Sequence, residues 1–231
     1  MPIRDDVRSV AWWVLVGAAA GAIAGFLVGG IGGRLAMLLL RLTSPEIVLG
    51  VTSDDGFVIG SVTAQTFQLM FGMTVLGAIN GVVYATLRTA IPRRLRLLLW
   101  AGFAALFGGS ILVHEDGVDF TLLEPALLAI LLFVALPGLA AALVVLLVER
   151  WSRATPWASR RLTLVLVVAS ACSTFALVFA VAAGAAALTV RRLPALRRLL
   201  QAGRIVVPVG LAVLSAGACV DLLQESARIL D

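Results

Sequence analysis

The side chains with the most chemical potential gather in two short acidic segments between long apolar runs. Residues 114–119 read HEDGVD and contain the only histidine of the chain, and residues 54–56 read DDG. Imidazole and carboxylate groups together suit several divalent metals. We therefore predict a divalent-cation site as one use of these segments. Its ligands would be His114, Asp116 and Asp119, with Asp54 or Asp55 as an additional ligand.

The same groups offer a second chemistry, general acid–base catalysis on a lipid or isoprenoid-like substrate. A carboxyl group in apolar surroundings can hold or release a proton near neutral pH. The candidate catalytic residues are Glu124, Asp119 and His114. The chain has no Walker motif, no Ser-His-Asp set, no HExxH and no CxxC, which makes an enzyme the less favoured class.

A third interpretation gives these acids a structural role. Asp and Gly are ordinary turn residues, and acids are favourable at helix N-termini. Under this interpretation they form turns, cap helices and pair with Arg34 and Arg41.

Asn80 is the one amide deep in an apolar run, where an interhelical hydrogen bond is the expected use. The candidate binding residues are Arg34, Asp54, Asp55, Asp116 and Asn80.

The elements that must position these residues are membrane helices. Of 231 residues, 61% are hydrophobic and 13% are charged, whereas soluble domains have about 45–50% and about 25%. A helix needs roughly 20 apolar residues to cross a bilayer. Uncharged spans occupy residues 10–33, 66–87, 97–113, 125–148, 162–190 and 205–220. This composition excludes a soluble enzyme, a disulfide scaffold, a disordered chain and, despite the net charge of +5, a nucleic-acid-binding module.

We predict one all-α integral membrane domain over residues 1–231, a polytopic bundle of about six transmembrane helices. The approximate helix ranges are 10–42, 66–88, 96–113, 122–149, 162–190 and 204–223. Between the first two, residues 47–63 place two β-prone runs around Asp55-Gly56, a typical hairpin signal. We expect a small extracytoplasmic β-hairpin there.

Charge and tryptophan predict a bacterial-type plasma membrane protein with a cytoplasmic N-terminus. Segments 88–96 and 149–161 would face inward with eight arginines and one acid, while 34–65 and 114–124 would face outward with seven acids and two arginines. All five tryptophans fall on the predicted inner side, as interfacial anchors do.

The last third of the chain does not follow this rule. Strict alternation of six spans places 191–204, with five arginines and no acid, on the outer side. Either 162–190 crosses once, which we favour because the first helices usually dominate orientation, or it is a re-entrant hairpin that returns 191–204 to the inner side.

Five glycines at i+4 spacing form a glycine zipper along the first span. Small residues allow close helix approach in lipid. We expect a seam within the chain, and contact with a second copy or a membrane partner is the alternative. The glycines are Gly17, Gly21, Gly25, Gly29 and Gly33.

Three functions follow as hypotheses. The first is a passive path for a small solute or ion, lined by the glycine-rich faces of the first two spans, with an acidic outer vestibule that concentrates cations. The second is a non-catalytic subunit or scaffold of a larger membrane complex. The third is the small intramembrane enzyme described above.

Overall fold

The computed structural model describes residues 2–45, 64–115, 117, 120, 124–152 and 194–230. Strands are absent from these residues, and every regular element in them is a helix. The helices are α1 Pro2–Ala24, a π-helical segment Gly25–Gly32, α2 Gly33–Thr43, α3 Ala64–Leu87, α4 Arg96–Leu112, α5 Ala126–Trp151 and α6 Pro194–Leu230. The predicted all-α class is confirmed. The hairpin predicted at 47–63 and the span predicted at 162–190 lie outside the described residues.

Four helical stretches are long and apolar enough to cross a membrane: Arg8–Thr43, Ala64–Leu87, Ala126–Trp151 and Ile205–Leu230. The first joins α1, the π-helical segment and α2 without a break. Helix α4 is also apolar but has 17 residues, slightly fewer than the roughly 20 of a typical crossing. By length and composition, therefore, the described chain has the helices that a membrane protein requires.

Two apolar clusters define the two ends of the bundle. The inner end, named for the predicted cytoplasmic side, is built around Trp12, Tyr84, Trp100 and Val148. The outer end is built from Leu40, Val113, Phe120, Ala129, Ile130 and Leu222. Four of the five tryptophans, Trp12, Trp13, Trp100 and Trp151, belong to or pack against the inner cluster and so share one end of the bundle; Trp157 is outside the described residues.

Helix α6 runs in the same direction as α4. Its residue Leu211 belongs to the inner cluster with Trp100, and its residue Leu222 belongs to the outer cluster with Val113. Six spans in strict alternation require these two helices to be antiparallel, so the described helices do not support that arrangement. The physical reason is packing that composition does not encode: Leu222 fits against Gly109 of α4, where an added Cβ would lie 3.5 Å from its Cδ2.

Several helices differ in length from the predicted ranges. Helix α6 has 37 residues instead of covering only 204–223, because the sequence pattern detects the apolar part of a helix and not its polar extension. At ~1.5 Å per residue it is about 55 Å long, beyond a hydrocarbon core of about 30 Å. Helix α5 begins at Ala126 instead of 122, after Pro125 with extended backbone at φ −79° and ψ 139°.

The glycine zipper packs against α3, as the intramolecular seam predicts. A Cβ added to Gly17 would lie 2.6 Å from the Gly81 carbonyl oxygen, closer than side chains tolerate. The facing pairs are Gly17 with Gly81, Gly21 with Gly77, and Gly25 with Met73. The two backbones therefore touch over this half of the zipper, where any side chain would separate them.

The zipper's outer half has a different environment. Gly29 lies in the π-helical segment Gly25–Gly32, where a Cβ would still meet the Met73 side chain of α3 at 3.1 Å, while Gly33 begins α2 and a Cβ there would meet nothing within 4 Å. In the same segment, a Cβ on Gly32 would meet Leu136 of α5 at 3.2 Å. Pro137 sits inside α5 beside Gly108 of α4. A proline has no backbone N–H, so it cannot donate the helical hydrogen bond to the residue four positions earlier. The π-helical segment and the proline inside α5 therefore lie at the same depth of the bundle.

Candidate functional site

The densest group of polar side chains lies at the inner end and centres on Glu149. One carboxylate oxygen, Oε1, accepts hydrogen bonds from Arg96 Nη1 at 2.8 Å, the Tyr84 hydroxyl at 3.1 Å and Arg88 Nη1 at 3.4 Å. Both arginines also form ion pairs with it. We call these four residues the Glu149 cluster.

The ends of three helices bring the cluster together. Tyr84 is in the last turn of α3, Arg96 is the first residue of α4 and Glu149 is in the last turn of α5. The short connection between α3 and α4 carries Arg88, and Arg96 Nε closes that connection by donating to the Ile91 carbonyl at 3.1 Å. The cluster therefore joins the end of α3, the start of α4 and the end of α5.

A fourth helix joins through an aromatic contact. The Arg88 guanidinium lies 3.6 Å from the ring centroid of Trp13 on α1, a geometry in which the ring face attracts the cation. Burial lowers the pKa of Arg88 and the neighbouring Glu149 carboxylate opposes that change. Arginine stays protonated at neutral pH even so, and the cluster has a formal charge of +1.

Aromatic packing extends the cluster into the bundle. Trp100 Nε1 donates a hydrogen bond to Asn80 Oδ1 at 2.9 Å, which is the interhelical bond expected for that amide. The Tyr84 and Trp100 rings lie 5.4 Å apart with planes tilted by 52°. This hydrogen bond and this ring contact link α3 to α4. The contact made by Asn80 is that of a helix-packing residue.

This arrangement joins the ends of helices. Oε1 of Glu149 accepts hydrogen bonds from two guanidinium groups and one hydroxyl. Tyr84 uses its hydroxyl proton in the same network. The hydrogen bonds described for the cluster join the ends of α3, α4 and α5.

At the outer end, Glu124 acts through its backbone. Its amide donates to Ser44 Oγ at 2.8 Å, and its carbonyl accepts from Thr43 Oγ1 at 2.6 Å. These bonds fasten the end of α2 to the start of α5. The residue itself is exposed, and the contacts recorded for it are those of a structural connection.

A second outer contact joins α4 to α6. The Glu115 amide donates to Glu225 Oε2 at 2.9 Å, and Arg228 Nη1 donates to Glu115 Oε1 at 3.2 Å. The Arg228–Glu115 pair is about half exposed on both sides. Together with Leu222, these bonds fix the outer end of α6.

The other predicted site residues are spread apart or lie outside the described residues. Arg34 donates to Thr66 of α3 and lies ten residues before Ser44, which is about 15 Å along a helix from the Glu124 contact. His114 is exposed. The predicted ligands Asp54, Asp55, Asp116 and Asp119 are not among the described residues. Within the part of the chain that the structure describes, no group of three or more His, Cys, Asp or Glu side chains could hold a metal ion.

Sequence reasoning did not single out the Glu149 cluster. Glu149 lies 53 to 65 positions from the other three members along the chain, so no local spacing connects it to them. Two signals were present: Glu149 is the only acid in the two predicted inner segments, and Tyr84 is the only tyrosine of the chain.

Fold and site together define an all-α protein whose helices have the length and apolarity of membrane spans and whose polar residues join helix ends. No protein-family model, curated protein or solved structure matches this chain.

Proposed function

We propose that the chain is a multi-pass protein of a bacterial-type plasma membrane that acts without chemistry of its own, as a subunit or scaffold of a larger membrane assembly. The observation that carries the proposal is the position of α6. This helix packs mainly on α4. In its most apolar stretch of 18 residues 17% is buried, compared with 56% in the corresponding stretch of the first span.

The remaining polar groups support a structural role. Arg88 and Arg96 pair with Glu149 in the Glu149 cluster, and the outer polar contacts fasten helix ends to one another. A bundle held at both ends is a rigid support for α6, whose exposed side chains include Val209, Val213 and Leu214. We propose that this apolar face of α6 contacts another membrane-spanning helix.

Charge supports a cytoplasmic position for the inner end. Among described residues, the inner end carries Arg4, Arg8, Arg88, Arg93, Arg94, Arg96, Arg150, Arg197, Arg198 and Arg204 against Asp5, Asp6 and Glu149. The outer end carries Arg34, Arg41 and Arg228 against Glu115, Glu124, Asp221 and Glu225. Basic residues accumulate on the cytoplasmic side. With α6 parallel to α4, the arginine-rich 194–204 no longer violates that rule.

Site-specific photo-crosslinking tests the subunit role. A photoreactive residue at Val213 of α6 should give one adduct of defined, protein-sized mass in intact cells, whereas the same residue at Leu76, an exposed position of α3, should give none. Lipid adducts at both positions, or a cross-link from Val213 to residues 153–193 of the same chain, would contradict the proposal.

A passive path for a small solute or ion is the second candidate. The observation that favours it is the meeting of the π-helical segment with the Pro137 region of α5, since π-helical turns are frequent at functional sites. The path would use the outer end of the zipper at Gly33, because α3 packs against the other zipper glycines. The proposed acidic hairpin at 47–63 and Asp116 and Asp119 would form its vestibule.

Flux through reconstituted liposomes tests this candidate. The path requires cation flux that weakens severalfold in the Asp116→Asn/Asp119→Asn variant and is unchanged in Asp221→Asn, which removes an acid from the exposed face of α6. Liposomes that stay tight with folded protein would remove it.

A further inference from the structure

The connection between α3 and α4 presents two kinds of arginine at the inner end. Arg88 and Arg96 are largely buried and held by Glu149. Arg93 and Arg94 lie between them and are exposed. The held pair already leaves the Glu149 cluster with a formal charge of +1, so no acid of that cluster neutralises the exposed pair.

Exposed leucines stand directly beside these arginines. Leu95, Leu97 and Leu98 are 43%, 44% and 69% exposed, and they occupy the end of the connection and the first turn of α4. Two exposed cations and three exposed leucines therefore share six residues. A soluble anion needs only the cations; a lipid needs a charged contact for the headgroup and an apolar contact for its chain.

We propose that the 88–98 segment is a binding site for an anionic phospholipid, with Arg93 and Arg94 on the headgroup phosphate and the adjacent leucines along the acyl chain. Arginine pairs well with phosphate oxygens. Burial of Arg88 and Arg96 beside one carboxylate fixes the backbone that presents the exposed pair. This site does not depend on the subunit role of α6.

Lipid binding to the whole purified protein in neutral detergent tests the site, measured by native mass spectrometry. Phosphatidylglycerol should bind more tightly than phosphatidylcholine. The Arg93→Gln/Arg94→Gln variant should weaken phosphatidylglycerol binding roughly 25-fold, about fivefold for each arginine. The Arg93→Lys/Arg94→Lys variant should retain most of it, and Arg228→Gln, an exposed arginine at the other end, should match the parent.

Three results would overturn the assignment. They are equal binding of both lipids, unchanged phosphatidylglycerol binding in the double glutamine variant, and displacement of the lipid by an equal concentration of inorganic phosphate. If the glutamine variant fails to fold, the parent protein still decides: its phosphatidylglycerol binding should fall as salt rises from 0.1 to about 1 M, and salt-independent binding would count against the site.

Discussion

At the scale of single residues, Glu149 holds the inner end together. Its Oε1 atom receives donors from α3, α4 and the connection between them. Removing the carboxylate charge leaves two largely buried guanidinium groups without their counter-ion. Breaking a fully buried pair in this way costs about 3–5 kcal/mol. Because the Glu149 side chain is 28% exposed, solvent screening reduces that penalty.

The Glu149→Gln variant should therefore lower the free energy of unfolding by about 2 kcal/mol. Its matched control is Glu115→Gln, which removes the charge from the half-exposed outer pair and should cost less than about 1 kcal/mol. Reversible unfolding in mixed detergent micelles measures both. Equal losses in the two variants would show that the inner cluster is no stronger than a surface ion pair.

A second prediction for a single residue concerns the hydrogen bond between Asn80 and Trp100, within the apolar helices. Asn80→Leu keeps the approximate size and removes the acceptor of the Trp100 indole N–H. We expect a loss of about 1 kcal/mol in unfolding free energy, in the range measured for interhelical hydrogen bonds in membranes. A red or blue shift of tryptophan fluorescence should accompany it. A variant as stable as the parent would show that the indole finds another acceptor.

At the scale of elements, the contact between α1 and α3 depends on the absence of side chains. The zipper was predictable from sequence because its information is local: glycines four apart lie on one face of a helix. Its partner was predictable in part, since α3 also carries Gly77 and Gly81. The change to a π-helical segment at Gly25 was not predicted from the sequence.

Two glycine substitutions, one inside this contact and one outside it, should differ in their effect on stability. A Cβ at Gly21 would overlap the Gly77 backbone, so Gly21→Ala should destabilise the protein by about 1–3 kcal/mol. A Cβ at Gly33 meets nothing within 4 Å, so Gly33→Ala should be neutral or stabilise it by up to about 1 kcal/mol. Thermal unfolding of both variants measures the difference. Similar destabilisation by both would mean that α1 and α3 are not in backbone contact.

At the scale of the whole molecule, sequence predicts the spans better than their arrangement. Apolar runs identify helices because burial in lipid is a property of each segment alone. The direction of a helix in the bundle depends instead on contacts with other helices. Leu222 of α6 packs against Gly109, and Glu225 of α6 accepts from the Glu115 amide. Those partners are more than 100 positions apart, so no window of sequence contains them. The Glu149 cluster was not predicted for the same reason, because Glu149 is distant in sequence from its partners.

The central claim is that α6 runs parallel to α4, which sets the N-terminus and the C-terminus on opposite sides of the membrane. Tags at the two ends, tested for protease accessibility in intact cells and in inverted vesicles, measure it directly. We predict that the C-terminal tag is cleaved in intact cells and the N-terminal tag only in inverted vesicles. Cleavage of both tags in the same preparation would contradict the parallel arrangement and restore six alternating spans.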